Sequence, residues 1–156
     1  MVITGFGGPE VFAQREVDKP IPGKNEVLVK VYATSVNPAD CGVRQGLFGP
    51  RIKLPAILGY DVSGVVEAIG ENVRDFQVGD EVYYAIGLLD GQGANTEYNV
   101  ANESIIAKKP ANLSHTEAAS VPVAGGTAWA ALFDRASIKI GESVLIHGGA
   151  GGVGSF

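Results

Sequence analysis

The chain has 156 residues, 46% of them hydrophobic and 19% charged, with a formal net charge of −5. That length allows one domain, or one plus the start of another, and the acidic balance without a Lys/Arg cluster argues against nucleic acid as a partner. No run of 18 apolar residues marks a membrane span, no basic leader marks a signal peptide, and a single cysteine, Cys41, excludes an intramolecular disulfide.

In chain order, Val11–Glu16 reads as a first strand, followed by the Pro-rich stretch 19–23. Glu26–Ala33 carries β-branched residues with partial alternation and predicts a good strand. Asp61–Ile69 predicts another. Gly64 interrupts it, and a mid-strand glycine marks a bulge or a close backbone approach. Val78–Tyr84 predicts a turn leading into a strand, and Thr96–Val100 and Ile105–Lys108 complete the set. Short strands with turns every 8–15 residues predict a small barrel or sandwich.

The pattern then changes. Ser114 and Glu117 form a capping box, so a helix is expected over 115–120. A second is expected over 124–136, after Pro122, with Trp129, Leu132 and Phe133 on one face. Trp129 reads as core. Residues 143–147 read as a short apolar strand that ends on a glycine loop. In that loop Gly149, Gly151 and Gly154 fall at the G-x-G-x-x-G spacing. The spacing allows a tight turn, a backbone approach to a pyrophosphate and a helix start that holds negative charge. Taken alone it fits an ordinary glycine loop equally well, because the chain holds 22 glycines, about twice the usual share.

An ordered series of motifs resembles the N-terminal part of the medium-chain dehydrogenases/reductases, in their zinc-free, quinone oxidoreductase-like branch. It runs through residues 6–10, 26–31, Ser35-Val36-Asn37-Pro38-Ala39-Asp40, 54–66, 76–82, Gly126-Thr127-Ala128 and 148–154, and so covers nearly the whole chain. The resemblance implies a GroES-like, partly open β-barrel that holds substrate, followed by helices and the first strand of a Rossmann domain. The expected division is 1–122 for the first and 123–156 for an incomplete second. Full-length members run past 300 residues, so the chain reads as a fragment, inactive on its own and clipped by a few residues at its start.

Zinc-dependent relatives bind the metal through a Cys in the first-domain loop and a Gly-His-Glu motif. By resemblance Asn37 stands at the Cys position, and Gly59-Tyr60-Asp61 stands for Gly-His-Glu. A Cys-rich structural lobe would follow Tyr84, where only residues 85–95 intervene before the next strand. No zinc is therefore expected. Without it, hydrogen-bond donors and a proton source must stabilise charge, which suits reduction of quinones or α,β-unsaturated carbonyls.

Individual residues carry two readings each. Asn37 fits a turn amide and, by resemblance, a donor in the substrate and nicotinamide cleft. Asp40 fits a loop-orienting role. Tyr60 fits a wall aromatic or a hydroxyl donor to substrate. Asp61 reads as a structural acceptor. Thr127 is expected near the nicotinamide, or else bonded to backbone. Gly149, Gly151, Gly152, Val153 and Gly154 are expected to hold the pyrophosphate. His147 reads as structural or phosphate-adjacent, and Cys41 as a small half-buried residue. Tyrosines that some relatives carry after the Asn-Pro segment are replaced here by Gly42 and Phe48, which weakens quinone specificity.

The expected function is NADPH-dependent reduction of a small electrophilic substrate by direct hydride transfer, with NADH left open. Asn37 and Tyr60 are the catalytic candidates. Cytoplasmic location and no membrane partner are expected, and family members often associate through the cofactor domain, so a homodimer of the full-length protein is expected too. The alternatives are a zinc-free reductase of another carbonyl compound, or a GroES-like binding or structural module without catalysis.

Overall fold

The computed structural model describes residues 1–87 and 92–156. Two open antiparallel sheets carry the first two-thirds of the chain. In the larger, β3 (Glu26–Ala33) lies between β7 (Tyr98–Asn102) and β5 (Asp61–Ile69), and β5 continues to β6 (Glu81–Ala85) and β8 (Ala107–Lys108). The smaller places β1 (Val2–Ile3) between β2 (Phe12–Ala13) and β4 (Ala56–Ile57). Neither sheet closes on itself among the described residues. This pair is the partly open barrel that the resemblance implied.

β3 and β5 form at their expected bounds because both are dense in β-branched residues and are flanked by Gly or Pro. Val27, Val29, Val62, Val66 and Val82 are fully or almost fully buried and form one core with Tyr84 and Ala101. Burying each of these valines contributes roughly 1.5–3 kcal/mol. Polar atoms inside are paired: the Tyr84 hydroxyl donates to Asn99 Oδ1 at 2.8 Å. A second core gathers Ile3, Val43, Ile52, Ala56, Leu58 and Tyr60 beneath the small sheet.

Several elements differ from expectation. Only Phe12–Ala13 of the first expected strand pairs, the strand expected at 96–100 runs over Tyr98–Asn102, and Ile105 ends a 3-10 turn that precedes β8. A helix absent from the expectation, α1, spans Pro38–Arg44. Residues 143–147, expected as a strand, are exposed and pair with no strand among the described residues. A strand exists only where a neighbour accepts its ladder, and no such neighbour is described here. Residues 88–91, within the short connection after Tyr84, lie outside the described residues.

α2 (His115–Ala119) starts on the expected capping box, with Ser114 Oγ accepting from the Glu117 N–H at 3.2 Å and the Glu117 carboxylate accepting from the Ser114 N–H at 2.8 Å. His115 fastens this helix to three strands. Its ring stacks on Tyr32 at 4.8 Å, Nδ1 lies 2.8 Å from Ser63 Oγ, and Nε2 lies 3.2 Å from Glu81 Oε1. α3 (Pro122–Trp129) takes Pro122 as its first residue, where no N–H is needed, and runs into a π-helical turn, Ala130–Arg135. Trp129 is not core: it is 61% exposed and packs on Phe133, ring centroids 4.4 Å apart. The spacing that suggested a buried face is present, but no described element covers that face. Among the described residues no helix is long and apolar enough to cross a membrane.

Candidate functional site

The site begins where β3 ends. Asn37 sits in extended backbone before Pro38, as the steric clash with a following proline requires, and caps α1. The third residue of the helix, Asp40, turns back. Its carboxylate accepts from the Asn37 N–H at 2.7 Å and from the Gly59 N–H at 2.8 Å. One buried side chain thus joins the start of α1 to the segment that carries Tyr60 and Asp61. Burial holds the Asp40 carboxyl above its ordinary range, against those two N–H donors, and the charge of Asp61 adds to the rise.

Asp61 opens β5 and is fully buried. Its Oδ2 accepts from the Ser35 hydroxyl and from Asn37 Nδ2, the latter at 2.7 Å. Its Oδ1 accepts from the Val123 N–H at 2.7 Å, near the start of α3. One turn along that helix, the Thr127 hydroxyl donates to the Val123 carbonyl at 2.6 Å, with the side chain exposed. Tyr60 points the other way, into the second core, and is 6% exposed.

The glycine loop folds tightly on itself. The Gly151 N–H donates to the Gly148 carbonyl at 2.8 Å, and the Ser155 N–H donates to the Gly151 carbonyl at 3.0 Å. Gly154 is the position that admits no side chain: a β-carbon there would stand 2.4 Å from the Gly148 oxygen. Gly149, Gly151, Gly152 and Val153 are exposed around it. At the loop's end the Phe156 ring comes alongside α3, where a β-carbon on Gly125 would lie 3.4 Å from it. α3 therefore links the two clusters, with Asp61 and Asn37 at its start and the glycine loop at its middle. Cys41, on α1, is exposed rather than half-buried, and His147 is exposed beside the loop. Arg44 donates to the Gly7 carbonyl. A groove of about 1180 Å³, lined by Tyr32, Thr34, Asn95 and Tyr98 among others, contains none of the expected site residues.

Residues 23–111 match the alcohol dehydrogenase GroES-like domain. The chain belongs to the medium-chain dehydrogenase/reductase family. A quinone oxidoreductase from Lama guanicoe is 41% identical over 97% of this chain and 46% of that protein. A zinc-type alcohol dehydrogenase-like protein of Staphylococcus aureus is 44% identical over 99% of this chain and 49% of its own length. A mycobacterial protein solved in complex with NADPH superposes with a TM-score of 0.87 at 37% identity, covering 98% of this chain and 46% of that one. The chain spans about half the length of the relatives it matches.

In this medium-chain dehydrogenase/reductase, reasoning from sequence missed Ser35 and Val123 as partners of Asp61. They lie far from it along the chain, and nothing in their local spacing marks them. It also missed that Tyr60 faces the second core. Burial, and then the Asp40 charge, push the Tyr60 phenol up to about 12. Because the folded value lies above the ordinary one, this part of the stability is present below pH 10 and is lost as pH rises through about 12. Thermal melts across alkaline pH are expected to show a steeper fall for the wild type than for Tyr60→Phe. Parallel curves would remove Tyr60 as the cause.

Proposed function

We propose that the chain is the substrate-binding part, with the start of the cofactor-binding part, of a zinc-free NADPH-dependent reductase of quinones or α,β-unsaturated carbonyls. The supporting observation is the position of α3, held at its start by Asp61 and touched in its middle by the end of the glycine loop. Residues 1–122 would hold the substrate, and 123–156 would begin the cofactor domain.

The glycine loop fits a pyrophosphate, because its tightest approach is backbone to backbone at Gly154. Gly149, Gly151, Gly152, Val153 and Gly154 would hold that group, with Asn37 and Thr127 toward the nicotinamide. Bound reduced nicotinamide supplies the hydride. The chain's own residues orient the acceptor, exclude water and present hydrogen-bonding groups to the oxygen that gains charge. The donor set does not fit zinc. Both Asp61 oxygens and both Asp40 oxygens already accept hydrogen bonds, and the Tyr60 phenol stays protonated at neutral pH. Amide and carboxylate groups engaged in this way make a poor zinc site.

The test is NADPH oxidation by the full-length protein with a panel of quinones and enals. Loss of NADPH absorbance is the expected result. Tight cofactor binding without turnover on any of them would overturn the reading and leave a binding module. Gly154→Ala is expected to weaken cofactor binding at least about tenfold, read as a titrated Kd, because the loop must open to admit the methyl group.

A further inference from the structure

Each of the two sheets brings an outer strand to the same groove. β2 is an outer strand of the small sheet, and β7 is an outer strand of the large one. Phe12 of β2 and Tyr98 of β7 both line the groove of about 1180 Å³, together with residues 14–20 and Tyr32. That volume exceeds the roughly 300–1,000 Å³ of small-molecule sites.

Hydrogen-bond accounting leaves both borders unpaired. The Val31 N–H donates to the Glu97 carbonyl at 2.9 Å, and the Glu103 N–H donates to the Asn25 carbonyl at 3.0 Å. Antiparallel ladders alternate, so the odd-numbered residues of β7 face β3, and the N–H and C=O groups of Tyr98 and Val100 point to the free edge. On the other border, residues 14–22 make no backbone–backbone hydrogen bond among the described residues. β7 reads Tyr-Asn-Val-Ala-Asn, with no charge and no proline to blunt its edge. At the far end of the same sheet, β8 has only two residues and runs from Lys108 into Lys109 and Pro110. Backbone left open on two sides asks for an occupant that is itself backbone.

The charge around the groove is one-sided. Lys19 is engaged: its ammonium pairs with Glu67 at 2.7 Å and stands 4.1 Å from the centre of the Tyr98 ring. Glu16, Asp18 and Glu97 form no ion pair among the described residues, and Arg15 is the one unpaired basic side chain beside them.

We infer that the groove takes an extended peptide segment of another protein, which adds a strand to the edge of β7 and carries Lys or Arg at alternate positions. Its backbone pairs with Tyr98 and Val100, and its basic side chains meet Glu16, Asp18 and Glu97. The side chains between them lie on Phe12 and Tyr32. The groove holds none of the residues assigned to the cofactor or substrate, so the inference stands apart from the reductase reading.

The experiment titrates a fluorescent seven-residue peptide of alternating lysine and valine against the full-length protein and follows its anisotropy. Hydrogen exchange at the Tyr98 and Val100 N–H groups is measured alongside. The lysine peptide is expected to bind at least about tenfold tighter than one with glutamate in place of lysine, and to slow exchange at both N–H groups at least about tenfold. Glu16→Lys combined with Asp18→Lys, both exposed, should erase that preference and leave the melting temperature and NADPH oxidation unchanged. Methylating the peptide's backbone nitrogens should abolish binding, because a strand needs them to join a ladder. Equal binding of the methylated peptide, or unchanged exchange at Tyr98 and Val100, would mean attraction between surface charges alone and would overturn the inference. A lysine peptide that does not bind overturns it too. The edge would then be held by residues preceding position 1 of a longer chain or by a second copy of this chain, which sedimentation at rising concentration tells apart.

Discussion

Gly64→Ala is expected to destabilise the protein severely, by about 3 kcal/mol or more. Gly64 lies inside β5, paired with Val31 of β3 on one side and Val82 of β6 on the other. A β-carbon there would stand 2.1 Å from the Lys30 carbonyl oxygen and 2.8 Å from Val29 Cγ1. The first obstacle is backbone in the middle of the five-stranded sheet, so no side chain can swing away to make room. The register between β3 and β5 already shifts on both sides of this contact, between Leu28 and Val29 and between Val31 and Ala33. Overpacking of this kind costs about 3 kcal/mol or more, out of a typical 5–15 kcal/mol for a whole domain. Urea unfolding measures it. Gly126→Ala is the control: the site has open space within a helix, and the change should stabilise by about 0.5–1 kcal/mol. A Gly64→Ala protein that unfolds at the same urea concentration as wild type would refute the close-approach account.

Asp40→Ala is expected to cost about 3 kcal/mol, since it leaves the Asn37 and Gly59 N–H groups without their acceptor in a buried place. Asp40→Asn should recover about half of this. One amide oxygen can still accept, while the amide nitrogen faces a second donor. The pH dependence gives an independent check. The folded Asp40 holds its proton more strongly than the unfolded chain does. Stability from that source is therefore present below the ordinary carboxylate value and is lost as pH rises through the raised one. Denaturant unfolding from acid to neutral pH should show this downward contribution in wild type and its absence in Asp40→Asn. A neutral Asp40→Ala would mean that the two N–H groups find other acceptors.

The sequence disclosed those parts of the fold whose cause is local. β3 and β5 are long runs of β-branched residues, and their bounds follow from composition alone. The Ser114–Glu117 box fixes the start of α2 because cap and helix are three residues apart. Gly64 announced a close approach because a side chain was missing where a strand needs one. α1 escaped because it has only seven residues, begins with Pro38 and contains Gly42, so no apolar period shows. β1 and β4 have two residues each, too few for alternation to register. The candidate site was legible only in part. The resemblance pointed to Asn37, Thr127 and the glycine loop. The carboxylate that gathers Asn37 and α3 is a matter of distant segments meeting, which no local pattern encodes.

The central place of β3 also bears on how the chain comes to be made. Val27 meets Ile69 on one side and Ala101 on the other. A ribosome must therefore release Asn102 before the sheet can finish around its own middle strand. At about 5–20 residues per second, one edge of Val27-Leu28-Val29 stays open for several seconds after β5 has emerged. Sheets built from such distant pairs close slowly even once the whole chain is free. For this protein the dangerous interval for aggregation falls during synthesis, when the buried valines of β3 are waiting for a partner not yet translated.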